Sequence, residues 1–326
     1  MLTLGTLKLK SPYILSPLAG ISDLTFRRLN RRFGAELAFT EMIDARSLCY
    51  ENKKINRMLA TDKHDRPLGV QLVGNEPDYL IRSIEILEKY HFDILDFNAA
   101  CPVKKVTSKG KGASLLKNPK HLGQLLSVLV NHSPWPVTVK IRAGWDKNSV
   151  NATETARAAQ DAGVAGIFLH GRTRSQGYFG AVDYEIIRAV KKILSVPVIA
   201  SGDIFSAPLV EKMFNETGAD AVAIARGALG NPWIFKELDA ATHKKIFHRP
   251  TIKVIAQVMA EHLEVLAAFW GPTHSIIMFR KFFHWYTKGL SGTRPLRERF
   301  SHAKTLGQAR SIIEAFKESV TLLSQT

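Results

Sequence analysis

The sequence predicts an α/β protein, a (β/α)8 TIM barrel followed by a small C-terminal helical bundle. Eight short apolar runs of strand type recur along about the first 230 residues, and segments with helix start and stop signals separate them. After about residue 240 the pattern becomes wholly helical. An open doubly wound sheet is the alternative, but the Gly-rich fingerprint that often follows its first strand is missing after Ser16. We therefore expect a barrel domain over residues 1–242 and a helical domain over residues 243–326.

The elements follow one another in a regular order along the chain. The predicted strands are Tyr13–Leu18, Leu37–Met42, Leu68–Val73, Ile94–Asn98, Val137–Ile141, Gly166–His170, Pro197–Ala200 and Ala221–Ala225. Helices between strands are expected to begin where N-cap residues or first-turn prolines stand, namely at Ser22, Glu76, Asn118, Asn151 and Ser206. The tail helices are expected at about 251–270, 275–290, 293–303 and 305–323.

The charge of the chain favours a polyanionic partner. Its 45 Lys and Arg residues exceed its 29 Asp and Glu residues by 16. Half of this excess lies on residues 243–326, which hold 13 basic and 5 acidic residues. An excess of this size usually means a nucleic acid partner, an anionic membrane surface, or neither. Its concentration on the tail makes the tail the better candidate for a polyanion-binding surface. A core position is expected for six aromatic residues of the tail, which argues against a membrane surface. They are Phe269, Trp270, Phe279, Phe282, Phe283 and Trp285.

Composition also predicts where the protein works. No apolar run approaches the roughly 18 residues that cross a bilayer, and the N-terminus lacks the apolar stretch of a secretory signal. The two cysteines, Cys49 and Cys101, are too few for a disulfide framework. We expect a cytoplasmic protein without membrane contact, and a monomer, because no exposed apolar strip stands out.

Polar side chains follow six successive predicted strands. Barrel enzymes place their chemistry at the C-terminal ends of the strands. These ends carry Gln71, Asp96, Asn98, Cys101, Lys140, Arg142, His170, Arg172, Ser201, Asp203 and Arg226. Cations beside strand interiors are costly unless an anionic group meets them. The sequence therefore predicts a functional face at this end of the barrel.

Two features of that face indicate its chemistry. The short Gly-containing loops at Ser201–Asp203 and Ala225–Gly227 are typical of loops that hold a phosphate through backbone N–H groups, here with Arg226 beside them. Cys101 precedes a basic, Gly-rich loop, a setting that suits a reactive thiol or a proton donor. Cys49 lies in a helical stretch and is expected to be a packing residue, and no spacing suggests a catalytic metal.

On these residues the chain resembles the tRNA-dihydrouridine synthases, most closely their bacterial B-type group. The resemblance covers almost the whole chain. The matching segments are Pro17-Leu-Ala-Gly20, Val70-Gln71, Asp96-x-Asn98-x-x-Cys101-Pro102 with Val103–Val106, Val139-Lys140-x-Arg142-x-Gly144-Trp145, His170-Gly-Arg-Thr173, Gly202-Asp203, Arg226-Gly227 and Asn231–Phe235. Each match is modest by itself, but their order on successive strands makes the resemblance specific.

The resemblance implies an FMN-dependent enzyme that uses NADPH or NADH to reduce the C5=C6 bond of a D-loop uridine in tRNA. Cys101 would be the proton donor. Residues implied at the cofactor are Pro17, Leu18, Ala19, Gln71, Lys140, His170, Ser201, Gly202, Asp203, Ala225 and Arg226. Residues implied or expected at the substrate, the tRNA D-loop and elbow, are Asn98, Arg142, Arg172, Lys104, Lys105, Arg280, Lys281, Arg294, Arg297 and Arg299.

The chain departs from the pattern of many relatives at four places. Ser16-Pro17-Leu18 stands where Ala-Pro-Met is common, Ala100 and Ala225 stand where Gly is common, and Ser201 stands where Asn is common. None of these changes removes the thiol, Lys140 or Arg226. Two other functions stay open at this point: a flavin barrel that reduces a free pyrimidine or another small enone, and a tRNA-binding chaperone without catalysis. The sequence does not indicate which uridine is modified.

Overall fold

Eight parallel strands close into a barrel, as the sequence predicts. The computed structural model describes residues 1–50 and 53–319. Its strands are β1 (Leu2–Leu4), β2 (Leu7–Leu9), β3 (Tyr13–Leu15), β4 (Ala38–Asp44), β5 (Leu68–Val73), β6 (Ile94–Asn98), β7 (Val137–Arg142), β8 (Gly166–His170), β9 (Val198–Ser201) and β10 (Ala221–Ile224). Strands β3 to β10 pair in chain order, and β10 pairs with β3 to close the barrel. The predicted fold class is confirmed.

Helices connect the strands and form the tail. They are α1 (Leu24–Arg32), α2 (Ala45–Leu48), α3 (Lys53–Met58), α4 (Pro77–Leu87), α5 (Lys104–Thr107), α6 (Pro119–His132), α7 (Ala152–Asp161), α8 (Tyr184–Ile193), α9 (Ala207–Thr217), α10 (Ile234–Thr242), α11 (Ile252–Trp270), α12 (Pro272–Tyr286), α13 (Arg294–Ser301) and α14 (Leu306–Ser319). Short 3-10 turns cover Gly112–Lys117 and Arg226–Ala228. In the part of the chain that the structure describes, no helix has the length and apolar character needed to span a membrane.

The predicted boundaries differ from the structure by a few residues. Strand β3 ends at Leu15 rather than Leu18, because the chain turns at Ser16-Pro17, and β4 continues past Met42 to Asp44. The second tail helix begins at Pro272, a first-turn proline, and ends at Tyr286 rather than 290. Residues 320–323 of the last predicted helix lie outside the described residues.

The chain forms two compact units. The first consists of residues 1–27 and 35–226 and contains the barrel, and the second consists of residues 28–34 and 227–326 and contains α10 to α14. The functional division at residues 242 and 243 stays a prediction.

A hairpin that the sequence analysis did not predict closes the N-terminal end of the barrel. Strands β1 and β2 pair antiparallel, and Leu2, Leu4 and Leu9 are buried in one cluster with side chains of the barrel interior. Phe39 fills the space above Gly69, where a Cβ atom would lie 2.2 Å from the Phe39 ring. Only glycine fits there without moving the ring. This apolar packing fills the N-terminal end of the barrel, so the polar residues that follow the strands lie at the opposite end.

Aromatic side chains form the interior of the second unit. Phe279, Phe282, Phe283, Phe300 and Phe316 are all buried, and the rings of Phe283 and Phe300 stack with centroids 4.4 Å apart. The expected core role of the tail aromatics is confirmed for Phe279, Phe282 and Phe283. It is only partly met for the remaining three, which are half-buried: Phe269, Trp270 and Trp285.

Candidate active site

A chain of buried hydrogen bonds runs across three neighbouring barrel strands, β5, β6 and β7. Thr138 Oγ1 donates to Asp96 Oδ1 at 2.8 Å, and Gln71 Nε2 donates to Asp96 Oδ2 at 2.7 Å. Asn98 Nδ2 then donates to Gln71 Oε1 at 2.9 Å. Because a carboxylate only accepts, Asp96 fixes which way the Gln71 amide faces, and Gln71 in turn fixes Asn98.

Asn98 extends this chain to the cysteine loop. Its Oδ1 accepts the backbone N–H groups of Ala100 at 3.1 Å and Cys101 at 2.8 Å. The same loop is closed at its base, where the Ala113 N–H donates to the Cys101 carbonyl at 3.0 Å. The sequence predicts Cys101 and Asn98 at one site, and the structure brings them together.

The Cys101 thiol is held in its protonated form. It is partly exposed, but burial raises its pKa, against smaller lowering effects of the Val103 N–H and Arg142. A thiol with a raised pKa is a poor nucleophile at neutral pH and keeps a proton to give. The site therefore favours a proton donor over a thiolate nucleophile.

Lys140 carries a buried ammonium group that no atom of residues 1–50 and 53–319 satisfies. Its Nζ is shielded from solvent and has no hydrogen-bond partner among the described residues. Burial lowers the pKa of Lys140 to about 8, while Asp96 acts in the opposite direction. Burial likewise raises the pKa of Asp96 to about 6, although Gln71, Thr138 and Lys140 favour its charged form. An unpaired buried ammonium is costly, so this position needs an acceptor from outside the protein.

Arg142 and His170 lie on neighbouring strands in register. The Arg142 guanidinium donates to the carbonyls of Ala100, Thr173 and Gly177 at 2.8 to 3.0 Å, so it fastens two loops as well as lining the site. Burial and the surrounding cations, first Arg142, hold the pKa of His170 far below its ordinary value. His170 is therefore neutral at pH 7 and does not add a fifth positive charge to the four cations of this face, which are Arg142, Lys140, Arg172 and Arg226.

A cluster of two arginines and one aspartate lies at the ends of β8, β9 and β10. Asp203 accepts from Arg172 at 3.0 Å through Oδ1 and through a second, shorter bond to Oδ2, and from Arg226 at 2.7 Å. The adjoining Gly202 has φ +127°, and a Cβ atom there would lie 3.0 Å from the His170 ring. Asp203 itself adopts φ +50°. This tight loop thus presents its backbone between His170 and the two cations.

We expect Asp203→Asn to lower the free energy of unfolding at pH 7 by about 1 to 3 kcal/mol, because buried Arg172 loses a charged acceptor. The arginines hold the pKa of Asp203 below its usual value, first through the Arg172 hydrogen bond. The stability that the Asp203 carboxylate contributes is therefore fully present above the pKa that this group has in the unfolded chain. It is lost as the pH falls through the lower pKa that the group has in the folded protein. Urea titrations between pH 7 and pH 3 should show the two proteins converging. Glu185→Gln, at an exposed ion pair with Arg188, is the control and should change little. Equal losses in both variants would contradict the assignment.

The remaining predicted residues fall into two groups. Ser201 is buried, Pro17, Leu18 and Ala225 are half-buried, and Ala19 is exposed at the end of β3. Lys104 and Lys105 are exposed on α5 of the cysteine loop. Within the second unit, Arg280, Lys281, Arg294 and Arg299 are exposed and Arg297 is half-buried. No group of three His, Cys, Asp or Glu residues that could hold a metal ion occurs among residues 1–50 and 53–319.

Sequence reasoning missed three residues at this face. Ser16 has a buried hydroxyl without a partner among the described residues, and it directly precedes the predicted Pro17. Tyr178 lies in the long loop after β8, with the Arg226 guanidinium 4.7 Å and that of Arg142 5.8 Å from its ring centroid. Asn75 follows β5 and has a buried, unpaired Oδ1. The position of Ser16 and Asn75 just after a strand was a usable signal, whereas nothing in the sequence distinguishes Tyr178 from other loop tyrosines.

The residues present fit a flavin mononucleotide. Lys140 Nζ and Ser16 Oγ are buried polar atoms in need of partners, and a flavin ring edge offers acceptors. The close, glycine-dependent loop at Gly202 and the cations Arg172 and Arg226 suit a phosphate. These features meet at the strand ends where barrel enzymes commonly hold phosphate groups.

Comparisons with known proteins identify the family of this chain. The model of the dihydrouridine synthase (Dus) family matches residues 14–321. The chain is 36% identical over 299 residues to "tRNA-dihydrouridine synthase B" of Pasteurella multocida, covering 91% of this chain and 90% of that protein. It is 35% identical over 318 residues to the protein of the same name from Pseudomonas aeruginosa, covering 97% and 96%.

Solved structures share the barrel at low sequence identity. The old yellow enzyme homologue of Zymomonas mobilis superposes with a TM-score of 0.55 at 11% identity, covering 77% of this chain and 94% of that one. At this identity the likeness concerns the fold alone. The family match over residues 14–321 takes in the barrel from β3 onward with its polar strand ends, and the two relatives cover 91% and 97% of this chain. The chain therefore belongs to the dihydrouridine synthase family and is most similar to proteins of its bacterial B-type group.

Proposed function

We propose that this chain is a tRNA-dihydrouridine synthase, which reduces the C5=C6 bond of a D-loop uridine in tRNA to 5,6-dihydrouridine. FMN is the proposed cofactor, NADPH or NADH the reductant, and Cys101 the proton donor. The observation that carries the proposal is that two groups occur in the same barrel. One is the Cys101 thiol, whose pKa is raised by burial, and the other is the buried Lys140 ammonium, which has no hydrogen-bond partner among the described residues. The family to which the chain belongs supports the same reaction.

When bound, reduced FMN supplies a hydride to C6 of the uracil. The residues of this chain do the rest. Cys101 gives its proton to C5, and its raised pKa keeps that proton available at neutral pH. Asn98 holds the Cys101 N–H at 2.8 Å and so fixes where the thiol stands relative to the base. Reduction also builds negative charge on the uracil carbonyl, which nearby hydrogen-bond donors stabilise.

Lys140 would hold the acceptor edge of the flavin, where its ammonium group would favour negative charge. Asp96, held by Gln71 and Thr138, keeps Lys140 charged by opposing the effect of burial. His170, neutral at pH 7, lines the cofactor without adding charge, and Arg226 with the Gly202–Asp203 loop receives the phosphate. Arg142 and Arg172 hold the loops that surround the base, through carbonyls of the 173–180 segment.

The helical tail is proposed to bind the tRNA backbone near the D-loop and elbow. Its buried aromatic core supports a folded domain, and its exposed cations, including Arg280, Arg294 and Arg299, suit phosphate contacts. A uridine inside the folded D-loop must leave its stack to reach the barrel, as in other enzymes that modify bases. We propose that the protein acts as a cytoplasmic monomer.

Two measurements test the proposed function. The purified protein should be yellow and release FMN on denaturation, which would exclude a chaperone without catalysis. Mass-spectrometric mapping of tRNA from cells lacking the gene should show the loss of dihydrouridine at one or a few positions, restored by the wild-type gene. With NADPH or NADH, the protein should reduce that tRNA but not free uridine. Unchanged dihydrouridine in the deletion strain, together with no activity in vitro, would contradict the proposal.

A further inference from the structure

A cavity of about 660 Å³ lies beside the cysteine loop, at the ends of β4 and β5. Its size is that of a site for a small organic ligand. We call it the flanking cavity and define it by the residues that the argument uses: Arg46, Tyr50, Asn75, Lys105, Lys109 and Lys111. None of the residues predicted for the cofactor lines it, so it is separate from the proposed flavin position.

The flanking cavity is lined by more positive than negative side chains. Its lining includes four cations and two carboxylates, Asp44 and Glu76. Lys111 is neutralised by Asp44 at 2.8 Å, and Arg46 lies 4.0 Å from Glu76. Lys105 and Lys109 are exposed and have no ion pair among the described residues. Two unpaired ammonium groups on one wall favour an anion such as a phosphodiester.

Asn75 adds a group that points to a base. Its Nδ2 donates to the Lys109 carbonyl at 3.0 Å, which fixes the orientation of the amide. Its Oδ1 is buried and has no partner among the described residues. A buried acceptor without a donor is costly, and an exocyclic amine or ring N–H of a nucleobase would satisfy it.

Tyr50 gives the cavity an aromatic surface. The side chain is 58% exposed, and its hydroxyl lies 3.5 Å from that of Tyr79, over whose ring the Arg46 guanidinium sits at 5.3 Å. Exposed aromatic rings beside cations are the usual means by which proteins stack on unpaired bases. The two lysines suit a phosphate, Asn75 Oδ1 suits a donor group of a base, and the Tyr50 ring suits the face of a base. Together these groups match one nucleotide.

The wall of the flanking cavity is the loop that carries Cys101. Helix α5 and Lys109 belong to this loop, whose two ends meet where the Ala113 N–H donates to the Cys101 carbonyl at 3.0 Å. A ligand in the cavity therefore lies against the segment that holds the proposed acid. Enzymes that extract a base commonly grip the nucleotides on either side of it.

We propose that the flanking cavity binds the nucleotide next to the reduced uridine. Its phosphate meets Lys105 and Lys109, its base stacks on Tyr50, and a base N–H donates to Asn75 Oδ1. This inference rests on the proposed function and adds to it a subsite that selects the sequence around the target.

The test compares two double variants of the full-length holoenzyme. Lys105→Gln/Lys109→Gln removes two charges from the cavity, and Lys89→Gln/Lys192→Gln removes two exposed charges near the opposite end of the barrel. With tRNA from the deletion strain, the cavity variant should raise KM for tRNA about tenfold. It should also reduce the salt slope by about 0.7, the contribution of the one phosphate that both lysines meet. KM for NADPH and flavin content should match the control.

A second variant tests the base contacts. Asn75→Leu fills the same space without an acceptor, and it should raise KM for tRNA about fivefold or more with no change in the salt slope. If KM for tRNA in both variants equals that of the control, the inference is overturned. If only KM for NADPH rises, the cavity holds the nucleotide of the reductant and the inference is likewise overturned. If the wild-type protein itself makes no dihydrouridine, the proposed function is contradicted, and the proposed subsite is contradicted with it.

Discussion

Cys101→Ala is expected to lower the rate of uridine reduction by about 100-fold to 10,000-fold, which is the contribution of a positioned general acid. The variant should still bind FMN, because Cys101 belongs to the loop after β6 and no predicted cofactor contact depends on its side chain. It should also still bind tRNA. The backbone N–H that Asn98 accepts is kept by alanine, so the loop should hold its shape.

Single-turnover kinetics make this test sharp. The enzyme is reduced with NADPH, mixed with tRNA, and followed by flavin absorbance as the flavin is reoxidised. Cys49→Ala is the matched control, since Cys49 is a buried thiol whose Sγ contacts the Ala45 carbonyl at 3.3 Å, and it should react at the wild-type rate. The wild-type rate should fall at high pH as the Cys101 thiol ionises, and the variant should lack this dependence. Loss of flavin from Cys101→Ala would instead mean a structural role for the thiol.

Lys140→Met is expected to slow reduction by about 100-fold to 1,000-fold, the effect of removing one preorganised donor from a site where negative charge develops. Methionine fills a similar volume and leaves the strand intact. Flavin affinity should fall as well, because the buried Nζ would no longer satisfy the cofactor. Lys192→Met, at an exposed position on α8, is the control. A wild-type reduction rate in Lys140→Met would remove the basis for its role.

The same variant has a consequence for pH. Lys140 favours the charged form of Asp96, so its removal should raise the pKa of Asp96 further above about 6. A carboxyl whose folded pKa is raised contributes stability below its unfolded pKa, and this contribution is lost as the pH rises through the folded pKa. Urea titrations of the flavin-free protein should therefore show this loss at higher pH in Lys140→Met than in the wild type. Adding Asp96→Asn should abolish the difference, and an unaltered pH profile would show that the two groups do not interact.

Much of the barrel could be predicted because each strand is an apolar run whose end carries a polar residue. Parallel strands share one carboxyl edge, so residues as far apart in sequence as Gln71 and Lys140 were expected at one site. The hairpin at Leu2–Leu9 was missed because three-residue strands give too few alternations to recognise. Its leucines are buried only because the barrel interior lies above them.

The polar connections of the site could not be read from the sequence. The direction in which the Asn98 amide faces depends on its partner Gln71, which Asp96 orients in turn. These contacts exist only once β5 and β6 have paired. Arg142 and Arg172 were expected at the substrate, and the structure adds that both hold backbone carbonyls of the loop after β8. That loop adopts its path through tertiary contacts, and no local pattern of residues encodes them.

The hairpin that fills the N-terminal end of the barrel packs against residues that are made much later than the hairpin itself. Leu2 and Leu4 share their cluster with Ile199 and Ala221, and Tyr13 in β3 pairs with Val222. At about 5 to 20 residues per second, a ribosome needs on the order of ten to forty seconds to make the chain between them. During that time Leu2 and Leu4 can meet Leu9, Ile14 and Leu37 but lack their last partners, Ile199 and Ala221. The cluster that fills this end of the barrel is therefore complete only after the eighth barrel strand, β10, has been made.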